Sequence, residues 1–477
     1  MTNAYFSDAR WAFKHSREGV TEPIGFGLTR TRVGICSAYR WCGLPLFVLQ
    51  YNPNFKKKLF IGGLPILPWR RAEVREPIAG RYALEAGRPS RVYINVGSLP
   101  FFDNRSGIPR VAKELASHGL QCRDAWVLPV YADPLTGEYR YAAQWARERG
   151  FNVSRLEALH AFCVDGDAPV TFAAGDWLVH TMINPNEIDF EADQFAQLRR
   201  FGVKVGFVLH DLIAERRPDC FKPRDAANFS RWLRMLPVYD GIFAVSKATL
   251  TDYRAWCEEN SAFVNPQQIQ GWFHLGADFT PGSRELTESH RKVLNQLQDR
   301  PFFLQVSTIE PRKGHAQLLD AFDLLWKDGI DLSLVFVGRR GWLVRALCRR
   351  ISRHPELNRR LFWFSGLSDA ALNALYDRAQ CVVVASEAEG YGLSVVEGAN
   401  HQKPLLVRDI PAFREVAPQG AHFFTGLKPE ALADAVRRVQ ALIREDRIPS
   451  YSLRPQPWAQ SFSDFFSLFN LNNENKS

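Results

Sequence analysis

Short apolar runs alternate with stretches of helical pattern along most of this chain, and that alternation constrains its fold more than any other feature. In the first half the runs fall at 91–96, 177–180, 203–209 and 241–245, with helical stretches near 111–116, 226–238 and 247–257. In the second half they fall at 302–306, 332–337, 361–364, 381–385 and 404–407. Between two of these, Leu318, Phe322 and Leu325 sit at i, i+4 and i+7, one apolar helix face. Strands alternating with helices in this way form a parallel sheet covered on both faces. The expected fold is therefore α/β: two doubly wound, Rossmann-like domains facing a cleft, with ligands beyond the carboxyl ends of the strands. A hydrophobic content of 46% and a charged content of 23% supply the cores such sheets need and argue against global disorder.

The polar, loop-like stretch 276–299 puts the domain boundary at about residue 285. The expected division is a basic N-terminal extension (1–90), a first Rossmann-like domain (91–284), a second (285–450) and a tail helix (451–477). Residues 1–90 are rich in Gly, Pro, Arg, Lys and aromatics, show no sustained period of 2 or 3.6, and read as irregular. Between Met1 and Arg91 stand 15 Lys and Arg against 6 Asp and Glu, which accounts for the whole net charge of +9. Lys56-Lys57-Lys58 and Arg70-Arg71 lie among Phe60, Ile61, Leu64 and Trp69. Basic residues mixed with apolar ones suit an anionic membrane surface, or a flap packed on the first domain. No nucleic-acid-binding module is recognisable.

The eight cysteines include no Cys-x-x-Cys pair, and several, such as Cys381, sit in apolar runs; they read as reduced, buried thiols. The first twenty residues alternate charges with aromatics and do not read as a signal peptide. No run of about 18 apolar residues suggests a spanning helix. The expected location is cytoplasmic, peripheral on the inner face of the plasma membrane if the basic segment binds lipid.

Two segments carry chemistry. VSTIEPRKG, residues 306–314, follows one strand and opens a helix, so Arg312 and Lys313 stand at a strand's carboxyl end beside free helix N–H groups. Two fixed cations there can neutralise a diphosphate, although Arg and Lys are also common in solvated loops. EAEGYGLSVVEGAN, residues 387–400, also follows a buried strand and opens a helix. Gly390 and Gly392 allow a turn and close approach to a ligand. Glu389 lies in that turn and Glu397 in the helix, where carboxylates can accept hydrogen bonds from ribose and sugar hydroxyls. Either one alone would read as a surface or capping Glu.

Glu389-x7-Glu397, preceded by Glu310-Pro311-Arg312-Lys313-Gly314, resembles the family 4 retaining glycosyltransferases of the GT-B fold. Gly366-Leu367-Ser368-Asp369 with Leu375-Tyr376, and Pro404-Leu405-Leu406-Val407 with Glu415-Val416, match further segments of that family. The resemblance covers roughly 92–469. It implies that Arg312 and Lys313 bind the donor diphosphate, Glu397 the ribose, and Glu389 with the backbone of Tyr391, Gly392 and Leu393 the donor sugar. Many members carry Gly-Arg where this chain has Ser307-Thr308, so the second cation's role passes to Arg312.

In the first domain, Ser106-Gly107-Ile108-Pro109 resembles the family's glycine loop, with Gly107 approaching the donor phosphate and acceptor. His210 follows the run 203–209; position alone fits a buried structural His equally well, and the resemblance implies contact with the donor sugar near its reacting carbon. Ser246 matches a Val-Ser-Lys segment and is otherwise a helix N-cap. The implied reaction moves a sugar from a nucleotide-sugar co-substrate to a glycan or lipid-linked acceptor with retention, in surface polysaccharide synthesis. Resemblance to bacterial surface-polysaccharide mannosyltransferases implies GDP-mannose, with UDP-sugars open. Arg312, Lys313 and helix N-termini aimed at the leaving diphosphate leave no need for a metal. Asp165-Gly166-Asp167 reads as a turn rather than a metal pair. A nucleotide-sugar 2-epimerase and a non-catalytic scaffold on the same fold are the alternatives.

Overall fold

The computed structural model describes residues 88–103, 106–133, 137–163, 166–182, 188–278, 288–297, 300–448 and 455–469, together with the backbone of seven strands between residues 20 and 71. The boundary expected at about 285 and Asp165 lie outside the described residues, as do the side chains of 1–87 on which the membrane reading rests. The chain forms two compact units, Met1–Val208 with Tyr239–Gly241 and Glu474–Ser477, and Leu209–Val238 with Ile242–Asn473.

The extension is not irregular. Val20–Gly25, Leu28–Val33, Cys36–Trp41, Leu44–Tyr51 and Lys56–Ile61 pair in sequence as an antiparallel sheet, and Leu64–Pro65 and Arg70–Arg71 both pair with Lys56–Ile61. The sequence signal was in the gaps. Gly34-Ile35 and Gly62-Gly63 have the composition that two-residue hairpin loops favour, and Gly27 and Gly43 recur at similar spacing. The strands themselves show no clean alternation, so a search for period 2 passes over them.

In the first unit, Arg91–Asn95 lies between Trp126–Ala132 and Trp177–His180, parallel to both. Tyr139–Tyr141 joins the outer edge antiparallel, and Lys204–Leu209 runs parallel to Trp177–His180. Val92, Tyr93 and Ile94 are fully buried, as a central parallel strand requires. Asp176, also fully buried, accepts Arg88 Nη2 at 2.6 Å, Arg91 N at 2.9 Å and Ala173 N at 2.7 Å, so its charge is paired and its oxygens are satisfied. Pro129 interrupts the apolar run of Trp126–Ala132, so the sequence does not present it as a strand. Asp167 belongs to a short strand, Gly166–Asp167, paired with Phe162–Cys163, and accepts Gln144 N at 2.9 Å.

The second unit contains six parallel strands in the order Leu361–Phe364, Ser333–Val337, Phe302–Val306, Cys381–Val384, Leu405–Arg408, His422–Phe424. Alternate residues feed opposite cores. Phe303, Leu334, Phe336, Cys381 and Val383 pack with Leu318, Phe322, Leu432 and Val436 of the helices His315–Lys327 and Pro429–Arg444. Phe302, Leu304, Val335, Val382 and Val384 pack with Leu294, Tyr376, Val395 and Phe413 from four helices on the other face. Because both faces are dry, these strands are mostly apolar, Gln305, Ser333, Arg408 and His422 being the exceptions, and each buried Phe or Leu contributes about 1.5–3 kcal/mol. Leu294 belongs to the helix Glu288–Gln296, inside the stretch expected to be loop; its apolar residues are too sparse to show a helical period. The tail helix Trp458–Ser467 is tied in by Trp458 N to Asp278 Oδ1 at 2.6 Å and by Phe465 against Phe243 and Phe273.

The strand order turns back between Phe302–Val306 and Cys381–Val384, where Phe303 and Leu304 face Cys381 and Val382. At such a reversal the following loops part and leave a crevice at the carboxyl ends.

Candidate functional site

Both sequence motifs emerge at that reversal. After Phe302–Val306 the chain makes a single 3-10 turn, Pro311–Lys313, and Gly314 turns it into the helix His315–Lys327 at φ 71°. A Cβ on Gly314 would run into the Ala385 carbonyl, so the turn packs directly on the neighbouring strand's end. Glu387 N donates to the Arg312 carbonyl at 2.7 Å and joins the two loops through their backbones.

The fold brings Arg312, Lys313 and Glu389 together. Arg312 Nη1 donates to Glu389 Oε2 at 2.9 Å and to the Ala388 carbonyl at 3.0 Å, and Lys313 Nζ reaches Glu389 Oε1 at 2.5 Å. Glu310 Oε2 lies 3.4 Å from Arg312 Nε, an ion pair without hydrogen-bond geometry. Burial alone would raise the Glu389 pKa, but Lys313 and Arg312 outweigh it and hold the group down to about 2. Burial is the stronger influence on Glu310 and pushes its pKa up against the pull of Arg312 and Lys313. On Arg312 burial acts downward and is outweighed by Glu389, Glu310 and Asp211, so its pKa rises. The outcome is two carboxylates and two cations in one half-buried cluster, with the cations that suit a diphosphate already engaged by Glu389.

Gly390 packs so closely on the His210 carbonyl that a Cβ would overlap it. Its own carbonyl accepts Ser246 Oγ at 2.5 Å and Thr249 Oγ1 at 3.0 Å. Ser246 thereby does two things, because its Oγ also caps the helix Lys247–Glu259 by accepting Thr249 N at 3.0 Å. His210 is buried beside this turn, and Asp211 accepts Ile213 N at 3.0 Å. Gly392, at φ 109°, starts the helix Leu393–Asn400, whose first N–H groups lack intrahelical partners by geometry. The Tyr391 side chain is buried and donates to the Leu275 carbonyl at 2.8 Å. Glu397 is buried in that helix and accepts Tyr376 Oη at 2.7 Å. These residues all belong to the second unit; Gly107 opens the helix Gly107–Gln121 of the first.

The other members gave no signal in the sequence, except that Glu415-Val416 stands in a segment the resemblance includes. Glu415 accepts Lys247 N at 2.7 Å and Ala248 N at 2.8 Å, and His274 Nε2 lies 2.7 Å from it, so a distant carboxylate holds the same helix start as Ser246. Arg408, buried, donates to the Ala385 carbonyl at 3.0 Å, to the Gly426 carbonyl at 2.8 Å and to Gln317 Oε1, a strut beneath the 385–392 loop. Arg217 Nη1 pairs with Glu387 at 3.1 Å. Only the Glu415 motif position pointed to any of this, since Glu415 lies 141–168 residues from its partners and Arg217 lies 170 from Glu387.

Residues 287–446 match the family model described as glycosyl transferases group 1. A serotype-specific mannosyltransferase, WbdA, of Escherichia coli is 34% identical over 380 residues, 78% of this chain and 45% of that protein. The O-antigen chain mannosyltransferase RfbU of Salmonella typhimurium is 26% identical over 142 residues, 30% of this chain and 39% of the relative. This chain thus spans less than half the length of the curated relatives it matches. Among solved structures, Anabaena Alr3699/HepE in complex with UDP and glucose superposes with a TM-score of 0.51 at 14% identity, covering 81% of this chain and 99% of that one. Sucrose-phosphate synthase from Thermosynechococcus elongatus gives a TM-score of 0.51 at 16% identity, covering 80% and 96%. The fold is the GT-B type.

Proposed function

We propose that this chain, whose residues 287–446 are a glycosyl transferases group 1 domain, moves a sugar from a nucleotide-diphosphate donor onto a growing surface-polysaccharide glycan. The observation that carries the reading is Glu389 held between Arg312 and Lys313 at the strand-order reversal. As the bond from the anomeric carbon to the diphosphate oxygen breaks, positive charge grows on the ring and negative charge on the leaving group. Arg312 and Lys313 lie where they can take up that negative charge, and they supply electrostatic stabilisation without a metal. To do so they must exchange Glu389 for phosphate oxygens, which frees the carboxylate for sugar hydroxyls. Glu397 takes the ribose, and the His210 carbonyl sets the position of Gly390. The mannosyltransferases among the relatives favour a mannose donor; GDP-mannose used with retention of configuration is the form we infer, a UDP-sugar being the other donor class. Residues 1–90 bring the enzyme to a lipid-linked acceptor at an anionic membrane.

The test is thermal stabilisation and transfer measured against nucleoside diphosphates and their sugars, with Lys313→Ala and Glu397→Ala beside the wild type. A diphosphate at about 100 times its dissociation constant raises stability by about 2.7 kcal/mol. Stabilisation by one base family, lost in both variants, together with transfer to an oligosaccharide acceptor in the presence of chelator, is the expected result. No stabilisation and no transfer with any donor overturns the proposal, and a chelator-sensitive rate overturns its metal-free part.

A further inference from the structure

Arginine is concentrated on one surface of the second unit, away from the cluster described above. Between residues 339 and 360 stand Arg339, Arg340, Arg345, Arg349, Arg350, Arg353, Arg359 and Arg360, with Glu356 as the one acidic residue. They surround the helix Arg345–Ser352. Val344, Cys348 and Ile351 anchor its inner face in the core, so the helix is fixed in place. Three of the arginines are used inward or locally. Arg350 reaches Asp320 at 2.6 Å and Asp323 at 2.7 Å on the neighbouring helix, and Glu356 pairs with Arg360 at 2.9 Å and lies 3.9 Å from Arg359. Arg345, Arg349 and Arg353, at i, i+4 and i+8, are exposed and make no ion pair among the described residues. Asp323 also takes His354, at 2.9 Å, so the nearby acids are committed elsewhere.

Two further features define the surface. Arg349, Arg350, Arg353 and His354 line a shallow hollow of about 520 Å³ with Ala346 and Pro355. Leu343, immediately before the helix, leaves 56% of its surface exposed, held outward at φ 55°. An exposed aliphatic residue beside a ridge of unneutralised guanidinium groups is the composition of a surface that rests in a lipid headgroup layer. The background sharpens the contrast, since the chain beyond Arg91 carries no net charge. The loop leading to this helix is bound to the donor-side turn: Ile309 N donates to the Arg339 carbonyl at 2.8 Å and Gly341 N to the Ile309 carbonyl at 2.9 Å.

We propose that the face formed by Leu343, Arg345, Arg349 and Arg353 docks on an anionic phospholipid surface, independently of the basic N-terminal segment. The hollow seats headgroup phosphates, Leu343 enters the interface, and the braced loop fixes how far the Arg312–Lys313 turn stands from the membrane. This does not depend on the transferase reading, and its failure leaves that reading intact.

The experiment is co-sedimentation of the full chain with vesicles of neutral phosphatidylcholine, with and without a third of phosphatidylglycerol. Compared are the wild type, Arg345→Gln/Arg349→Gln/Arg353→Gln, Leu343→Ser, and Lys56→Gln/Lys57→Gln/Lys58→Gln. A circular dichroism spectrum and thermal midpoint matching the wild type show that each variant is folded. The expected result is binding to anionic vesicles only, weakened by salt, and at least about tenfold weaker in the arginine triple variant, with a smaller loss for Leu343→Ser. Binding by that triple variant within twofold of wild type, equal binding to neutral vesicles, or no binding by the wild type overturns the proposal. So does a duplex DNA competitor that displaces the wild type from vesicles but is itself bound equally well by the triple variant.

Discussion

Glu389 is the residue on which the site's charge balance turns. It is bound to both cations that a diphosphate needs, Arg312 at 2.9 Å and Lys313 at 2.5 Å. Replacing it with Gln removes the competing charge and keeps the shape. Glu389→Gln is therefore expected to bind nucleoside diphosphate at least as tightly as wild type while losing transfer by about 100-fold or more, on the scale of a lost transition-state contact. Calorimetry and initial rates check the two halves, and weaker diphosphate binding in the variant would show that Glu389 supports the cations rather than competing for them. Gly390 acts sterically. A methyl group there would overlap the His210 carbonyl, so Gly390→Ala should cost about 1–3 kcal/mol of overpacking and abolish diphosphate stabilisation, read from thermal melts with and without ligand. Arg312, Lys313, Glu389 and Glu397 were legible in the sequence because each falls in a contiguous segment with a fixed place after a strand. The glycine's partner was not legible, since the His210 carbonyl lies 180 positions away and only the fold brings it there.

At the level of elements, legibility followed burial. Strands covered on both faces, such as Cys381–Val384, announce themselves as unbroken apolar runs. His422–Phe424 is only three residues long, and the extension's strands hide behind mixed composition, so neither gives such a signal. Links between elements were hidden for another reason. The helix Lys247–Glu259 has its first N–H groups bound by Ser246 and by Glu415, and Ser246 also donates to Gly390. Removing either group exposes orphan donors, so Ser246→Ala and Glu415→Gln should each cost about 1–2 kcal/mol. The two should differ in function. Ser246→Ala releases the Gly390 carbonyl and should raise the donor KM, whereas Glu415→Gln retains that bond and should leave KM near wild type. Equal effects on KM would mean that Ser246 acts only through the helix. Burial would raise the Glu415 pKa, but His274 and the two backbone N–H groups lower it, which keeps the cap ionised at neutral pH.

Across the whole molecule, the response to acid is set by groups that cannot take a proton while buried. His180 and His315 are each held by burial at a pKa of about 3, His315 with further help from Lys313, against an ordinary value of 6.5. The unfolded chain protonates these rings near 6.5 and the folded chain does not. Their contribution is thus complete above pH 6.5 and is lost progressively as pH falls toward 3, at up to about 1.4 kcal/mol per pH unit for each ring. Glu389, held down to about 2 against 4.5, adds acid sensitivity only below its unfolded value, so the histidines alone govern the window between pH 6.5 and 4.5 among these three groups. They lie in different units: His180 stacks on Phe207 with Nδ1 3.2 Å from Asn95 Nδ2, and His315 sits edge-on to Phe336. His180→Gln and His315→Gln, which keep a neutral hydrogen-bonding side chain, should lower stability at pH 8 yet flatten its decline between pH 6.5 and 4.5. Because the units can unfold separately, each variant should flatten one transition of a urea titration and leave the other steep. Unchanged slopes in both variants would assign the acid response to the surface carboxylate pairs, where salt would then abolish it, as it cannot for buried rings.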